Sequence, residues 1–126
     1  MYLNSKTFSE GQIIEKDGTI ILAGPLFSVG YIFLWNFINK DFIEFIRLSY
    51  GVMDICIWNS NYIFATLNGS PNDKFILLNL NDKEIEKRFD DIKINNCYGI
   101  HLLRHKKEGD FLITFTSGGK LYLYKI

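Results

Sequence analysis

Apolar residues occur along the chain in short runs that turn-forming residues separate. Most runs are about five to seven residues long and rich in Ile, Phe, Tyr, Val and Thr, which favour strands. Turn signals such as Asp17-Gly18, Asn81-Asp82 and Ser117-Gly118-Gly119 lie between them. The pattern predicts strands at Gln12–Lys16, Thr19–Ala23, Tyr31–Phe37, Phe42–Arg47, Val52–Trp58, Tyr62–Leu67, Lys74–Leu80, Ile85–Phe89, Gly99–Arg104, Phe111–Thr116 and Lys120–Ile126.

An internal repeat runs through this pattern. A shift of 43 residues places Phe33–Phe37 on Ile76–Leu80, and a further shift of 46 residues places Ile76–Leu80 on Tyr122–Ile126. Tyr50-Gly51-Val52 also recurs as Tyr98-Gly99-Ile100. The chain therefore reads as repeats of about 43–46 residues with about four strands in each.

The charged segment Asp82–Asp91 fits two kinds of structure. Its apolar residues Ile85 and Phe89 are four residues apart, a spacing that suits one face of a helix and also one face of a strand. The repeat places Lys83–Phe89 on Lys40–Ile46, whose apolar residues indicate a strand. We therefore predict a strand in both segments.

A four-stranded repeat of this length resembles the WD-repeat β-propeller family. The third strand of each blade in that family tends to read Gly-Thr-apolar-Xaa-apolar-Trp-Asp-apolar, and Gly30–Phe37 is similar, with Asn36 in place of Asp. Asp73–Leu80 and Gly119–Ile126 are weaker copies that carry Leu and Tyr at the Trp position. The resemblance covers roughly residues 18–126.

Some features of the family are missing. The Gly-His pair that precedes the first strand is replaced by Tyr50-Gly51 and Tyr98-Gly99, with no His directly after either glycine. In the last repeat, Gly118 stands where the family has an Asp in the turn between the second and third strands. The resemblance therefore implies degenerate repeats without the family's His–Ser–Asp–Trp hydrogen-bond network.

The expected fold is one all-β domain over residues 1–126, a partial β-propeller of about three four-stranded antiparallel blades. The repeats fall at approximately 1–41, 42–84 and 85–126, and the alternative is another antiparallel β-sandwich. The last blade lacks an outer strand, which Tyr2–Phe8, a poor strand former, would supply in a closed ring. Because closed rings have about 4–8 blades, we expect a piece of a larger propeller or a homo-oligomer.

Composition and charge narrow the function. The 126 residues are 48% hydrophobic, and 14 basic side chains balance 14 acidic ones, which disfavours a nucleic-acid partner. No apolar run is long enough to span a membrane, and the N-terminus has no signal-peptide pattern. We expect an intracellular protein, in the cytoplasm or nucleus, with Cys56 and Cys97 as reduced thiols.

Candidate catalytic and metal-binding residues are few. His101 and His105 would share one metal ion on a helix, but their segment is predicted as a strand. The adjacent Asp90 and Asp91 point to opposite sides of an extended chain. The serines Ser70 and Ser117 lie in turns without a nucleophile motif. We therefore expect no catalytic residue, no metal and no cofactor.

Two hypotheses for function remain. In the first, the chain is a non-catalytic protein-interaction scaffold, with Trp58, Arg104, Lys106 and Lys107 as candidate interface residues and other proteins, or further blades, as partners. In the second, an all-β domain binds a small molecule, or acts on one, at the centre of the ring. There Asp54 and His101, near the starts of first strands, are the polar residues of the right type.

Overall fold

The computed structural model describes residue 8 and residues 10–14, 18–25, 29–70, 75–90, 97–116 and 118–126. Within these ranges the chain forms eleven strands and no helix. In chain order they are β1 (Glu10–Ile14), β2 (Thr19–Gly24), β3 (Gly30–Asn36), β4 (Asp41–Leu48), β5 (Val52–Asn59), β6 (Tyr62–Leu67), β7 (Phe75–Asn79), β8 (Glu84–Phe89), β9 (Cys97–His105), β10 (Gly109–Thr116) and β11 (Leu121–Lys125).

The strands form three antiparallel sheets in the described part of the chain. Sheet 1 contains β1–β4 and sheet 2 contains β5–β8, each with its strands in chain order, whereas sheet 3 contains only β9, β10 and β11. Every neighbouring pair is antiparallel, because each strand turns back beside the one before it. The predicted all-β class is confirmed, with antiparallel sheets of three or four strands.

Each predicted strand overlaps one observed strand, with ends that differ by a few residues. The ambiguous segment forms β8, so the strand interpretation of Ile85–Phe89 is confirmed. Some predicted positions lie outside the described residues: Tyr2–Thr7, Glu15, Lys16, Lys74, Asp91 and Ser117.

Two hydrophobic cores join the three sheets in order. The first lies between sheets 1 and 2, where Ile21 and Ile32 from sheet 1 meet Ile63 and Leu78 from sheet 2. The second lies between sheets 2 and 3, where Phe64 and Phe75 meet Ile100, Leu112 and their neighbours. Both faces of sheet 2 are therefore buried. We call the face of a sheet that points toward the next sheet in chain order its front, and the opposite face its rear.

Equivalent positions on the three sheets carry equivalent apolar residues. On the fronts, the second and third strands pair Ile21 with Leu34, Phe64 with Leu77, and Ile113 with Leu123. On the rears, the corresponding pairs are Ile20 with Trp35, Ile63 with Leu78, and Leu112 with Tyr124. The three segments that carry the propeller resemblance thus supply the third strand of each sheet.

The turns after β3 and β7 are closed by the same hydrogen bonds. The side-chain oxygen Oδ1 of Asn36 accepts backbone N–H groups from Ile38 and Asn39 at 3.0 and 2.9 Å. Oδ1 of Asn79 accepts the N–H groups of residues 81 and 82 at 3.0 and 3.1 Å. An Asn side chain that replaces a backbone acceptor in this way favours a tight turn, so sheets 1 and 2 have equivalent third hairpins.

Candidate functional site

Trp58 lies at the end of β5 and joins sheets 2 and 3. Its indole Nε1–H donates to Oδ2 of Asp110 in β10 at 3.0 Å. Its ring is half-buried, with centroids 5.7 Å from Tyr62 and 5.9 Å from Phe64. The sequence suggested an interface role if this tryptophan were exposed. In the structure the indole N–H and part of the ring make contacts within the molecule.

Arg104 contacts the backbone of the same tryptophan. Its guanidinium donates to the backbone carbonyl of Trp58. Arg104 also pairs directly with Asp110 across β9 and β10, so one cross-strand pair on sheet 3 contacts both the backbone and the indole of Trp58. Asp110 was not singled out by the sequence, because only the strand register brings it opposite Arg104.

Lys106 and Lys107 lie in the exposed hairpin turn between β9 and β10. The ring of His105 stabilises this turn, since its Nδ1 accepts the N–H of Lys107 at 3.2 Å and that of Glu108 at 3.0 Å. The lysine side chains extend from the turn into solvent. They remain candidate interface residues, in the turn that follows the Arg104–Asp110 pair.

A polar cavity of about 270 Å³ lies where the first strands of the sheets meet. Gln12 from β1, Asp54 and Cys56 from β5, and His101 from β9 line it, together with aliphatic neighbours. The strand register thus brings together Asp54 and His101, the two residues named for a central site. Gln12 was missed because a lone glutamine carries no sequence signal.

The Asp54 carboxylate is already used within the fold. Its Oδ1 accepts the N–H of Ile55 at 2.9 Å, and its Oδ2 accepts the N–H of Ile100 at 2.9 Å. The second bond crosses from sheet 2 to sheet 3. A carboxylate that satisfies backbone donors in this way is a structural link between two strands, and its lone pairs are partly committed.

Cys56 beside it is a weak nucleophile. Burial raises the pKa of the Cys56 thiol above its usual value, and the Asp54 carboxylate raises it further, while Arg104 acts in the opposite direction. A thiol with a raised pKa stays protonated at neutral pH, whereas a nucleophilic cysteine must form the thiolate. The cavity therefore does not activate this thiol.

His101 and His105 do not converge on one point. They are four residues apart on β9, which separates their positions by about 13 Å along an extended strand. The His101 ring packs edge-on against Phe115 at a centroid distance of 5.8 Å. Within the described ranges, no group of three or more His, Cys, Asp or Glu side chains is placed to hold a metal ion.

Of the remaining candidate residues, the structure describes Asp90 and Ser70. Asp90 is exposed after β8, and Asp91 lies outside the described residues. Ser70 is 4% exposed at the end of a turn, and Ser117 also lies outside the described residues. None of the described segments forms a helix that could cross a membrane.

The front of sheet 3 is an apolar surface that the described residues leave uncovered. Cross-strand pairing places Leu103, Ile113, Phe115, Leu121 and Leu123 on this one side, and we call them the open face. Leu121 and Leu123 are 59% and 55% exposed, while the equivalent Phe75 and Leu77 of sheet 2 are 0% and 8% exposed. Contiguous exposed apolar surface is a common feature of protein interaction sites.

A groove of about 170 Å³ lies between the front of sheet 2 and the rear of sheet 3, beside β11. Its walls are mostly aromatic and aliphatic, and its two charged side chains are both lysines. The lining residues are Trp58, Phe64, Leu77, Lys87, Phe89, Leu112, Tyr124, Lys125 and Ile126. Among these described lining residues there is no Asp or Glu.

Comparison with known proteins identified neither a family whose model matches the chain nor a curated protein with significant similarity to it.

Proposed function

We propose that this chain is a segment of a β-propeller that acts as a non-catalytic protein-interaction scaffold. The observation that carries the proposal is the open face. It has apolar residues at the register positions that sheets 1 and 2 bury beneath the next sheet. A further sheet of a larger propeller is the occupant that continues this stacking, because its rear face would meet the open face as the rear of sheet 2 meets the front of sheet 1.

The order of contacts supports a radial arrangement. β1 packs beside β5, and β5 packs beside β9, so first strands adjoin first strands through the stack. Radial repetition of four-stranded sheets around such a centre is the propeller architecture. An incomplete stack leaves the outer face of each end sheet without a covering sheet. In sheet 3 that face is the open face, which makes association with other protein surfaces the expected activity.

Light scattering across a range of concentrations tests the proposal, with near-UV circular dichroism on the same samples. The chain by itself should associate through the open face. The double substitution Leu121→Lys with Leu123→Lys should abolish that association and keep the near-UV signal. The matched control, Val29→Lys with Ile38→Lys, changes residues that are 50% and 67% exposed elsewhere and should associate as the parent chain does.

The light-scattering results distinguish two candidates for the surface that covers the open face, a further propeller sheet and a second copy of the chain. A discrete multiple of the 14.7 kDa chain mass would show that a second copy supplies the covering sheet, and would replace the larger propeller with a homo-oligomer. Polydisperse association that the lysine substitutions remove supports the larger propeller. A folded monomer at every concentration, unchanged by the substitutions, would overturn both.

A second candidate function is small-molecule binding in the polar cavity, favoured by the convergence of Gln12, Asp54 and His101 on one space. Its test is His101→Ala, since the exposed His101 ring can be removed without breaking the Asp54 link between sheets. Loss of a bound fragment in NMR titrations, with self-association unchanged, would support this candidate. Equal binding by the variant would reject it.

A further inference from the structure

The outer edge of β11 is defined by which of its residues bond to β10. Thr116 N–H donates to Lys120 C=O and Ile126 N–H donates to Asp110 C=O, both at 3.0 Å. In an antiparallel pair, backbone groups point alternately toward and away from the partner strand. Leu121, Leu123 and Lys125 therefore direct their backbone groups to the opposite side, where the described residues supply no strand.

Sheet 2 shows what occupies the same edge when a fourth strand is present. There β8 pairs with β7, with Phe75 opposite Phe89 and Leu77 opposite Lys87. The Phe75 and Phe89 rings stack at 4.3 Å. Phe75 and Leu77 correspond to Leu121 and Leu123 in register. A strand added beside β11 would therefore find the outward backbone groups of Leu121, Leu123 and Lys125, beside a surface of the kind that holds β8.

The groove lies directly beneath that edge. Phe89 and Tyr124 form opposite walls, so alternate side chains of an added strand would point between sheets 2 and 3. Two lysines flank the edge on different sides. Lys125 lies on the front of sheet 3 with Leu121 and Leu123, whereas Lys87 lines the groove, where its Nζ is 4.9 Å from the Phe89 ring. An occupant that combines apolar side chains with carboxylates matches this lining.

We propose that the edge of β11 binds an extended segment of a partner protein as a fourth strand of sheet 3. The segment alternates apolar residues, which enter the groove, with acidic residues, which lie on the front side of sheet 3 beside Lys125, while the exposed Lys87 at the groove adds a second positive charge. Main-chain hydrogen bonds give such strand addition its affinity, and the pockets for alternate side chains give its specificity. The inference rests on the proposed role in protein interaction but uses a different surface from the open face.

The probe is a fluorescent peptide, acetyl-Glu-Val-Glu-Phe-Glu-Val-Glu-amide, titrated with the full chain and followed by anisotropy. We expect saturable binding, with slower hydrogen exchange at the amides of Leu121 and Leu123. The same peptide with alternate backbone nitrogens methylated on its bonding edge should bind about tenfold more weakly or worse, since it cannot donate to β11. The peptide with Lys in place of Glu should also lose about tenfold.

Two protein variants locate the binding site. Lys87→Glu with Lys125→Glu should weaken binding about tenfold or more, whereas Lys106→Glu with Lys107→Glu makes the same change of net charge and should have little effect. Ile126→Glu, at an exposed position on the groove, should weaken binding without disturbing the core, because the Ile126 bond to Asp110 uses only its backbone.

Three results would overturn the inference: equal binding of the methylated and unmethylated peptides, equal losses in the two lysine variants, or no binding together with amides of Leu121 and Leu123 that are already slow to exchange. The last result would mean that another segment of the chain, such as Tyr2–Phe8, or another copy covers the edge. Leu121→Lys with Leu123→Lys changes the open face and keeps the backbone edge. If this variant still binds the peptide, strand addition does not depend on the open face. Strand addition and the proposed propeller association can then fail independently of each other.

Discussion

Lys40 and Lys83 adopt the same left-handed backbone conformation, with φ of 60° and 56°, at the same step of equivalent turns. They are 43 residues apart in the chain, and each directly follows a turn closed by Asn36 or Asn79. A lysine pays a steric cost in this region that glycine does not. Sheets 1 and 2 therefore share a backbone geometry at this turn, although lysine does not favour it.

Lys40→Gly and Lys83→Gly should each raise the free energy of unfolding by about 0.5–1 kcal/mol, because glycine removes the Cβ strain at positive φ. Lys106→Gly is the control, since Lys106 is in an exposed turn but is not among the described non-glycine residues with positive φ. Urea unfolding of the three variants measures the difference. Equal stabilisation in all three would contradict the assignment of strain to Lys40 and Lys83.

Trp58→Phe should lower the free energy of unfolding by about 1–3 kcal/mol more than Trp35→Phe does. The first substitution removes a hydrogen bond to the Asp110 carboxylate, whereas the Trp35 indole N–H is buried and has no acceptor within the described residues. Both variants lose similar ring area, so the comparison isolates the hydrogen bond. Thermal unfolding that gives the two variants the same stability would argue against the Trp58–Asp110 link.

Asp54→Ala should destabilise the chain by about 1–3 kcal/mol, because the buried N–H of Ile100 loses its acceptor and sheets 2 and 3 lose a direct bond. Asp41→Ala, at an exposed position in β4, is the matched control and should change stability little. Denaturant unfolding gives the comparison, and amide exchange at Ile100 reports the lost bond directly. Unchanged protection of that amide would show that Asp54 does not hold it.

Alkylation of Cys56 by iodoacetamide should require a higher pH in the folded chain than in urea, because burial and the Asp54 carboxylate raise the pKa of its thiol. Asp54→Asn should shift the pH profile downward, since it removes the nearby negative charge. Mass spectrometry of peptides distinguishes Cys56 from the fully buried Cys97. An alkylation pH profile equal to that of the unfolded chain would contradict the raised pKa of the Cys56 thiol.

The same shift has a consequence for stability. A thiol whose pKa is raised in the folded state contributes its stabilisation below the pKa of the unfolded thiol, about 8.5, and loses it as the pH rises beyond that value. The free energy of unfolding should therefore fall above this pH in the parent chain. A Cys56→Ser variant should show a smaller fall, and an identical fall would assign the effect to other groups.

The strands follow from the sequence because local physics dominates in short amphipathic segments. Alternation of apolar and polar residues, together with Asn, Asp and Gly in the turns, is enough to locate β2, β3 and β6 within a few residues. The spacing of four in Ile85–Phe89 was ambiguous by itself, and comparison with Lys40–Ile46 resolved it. The shift of 43 residues also aligns Asn36 with Asn79, and the structure shows that both close the same turn.

The sites depended on contacts between sheets, which no local pattern encodes. Asp110 reaches Trp58 from a position 52 residues away, and Asp54 reaches Ile100 from 46 residues away. Whether Leu121 and Leu123 are core or surface depends on whether another sheet lies in front of them, although their residue types match those of Phe75 and Leu77. The sequence alone therefore determined the strands, the turns and the recurring apolar positions, because these arise from neighbouring residues. Only the tertiary structure decided which apolar face is buried and which polar groups meet, because both depend on distant strands packing side by side.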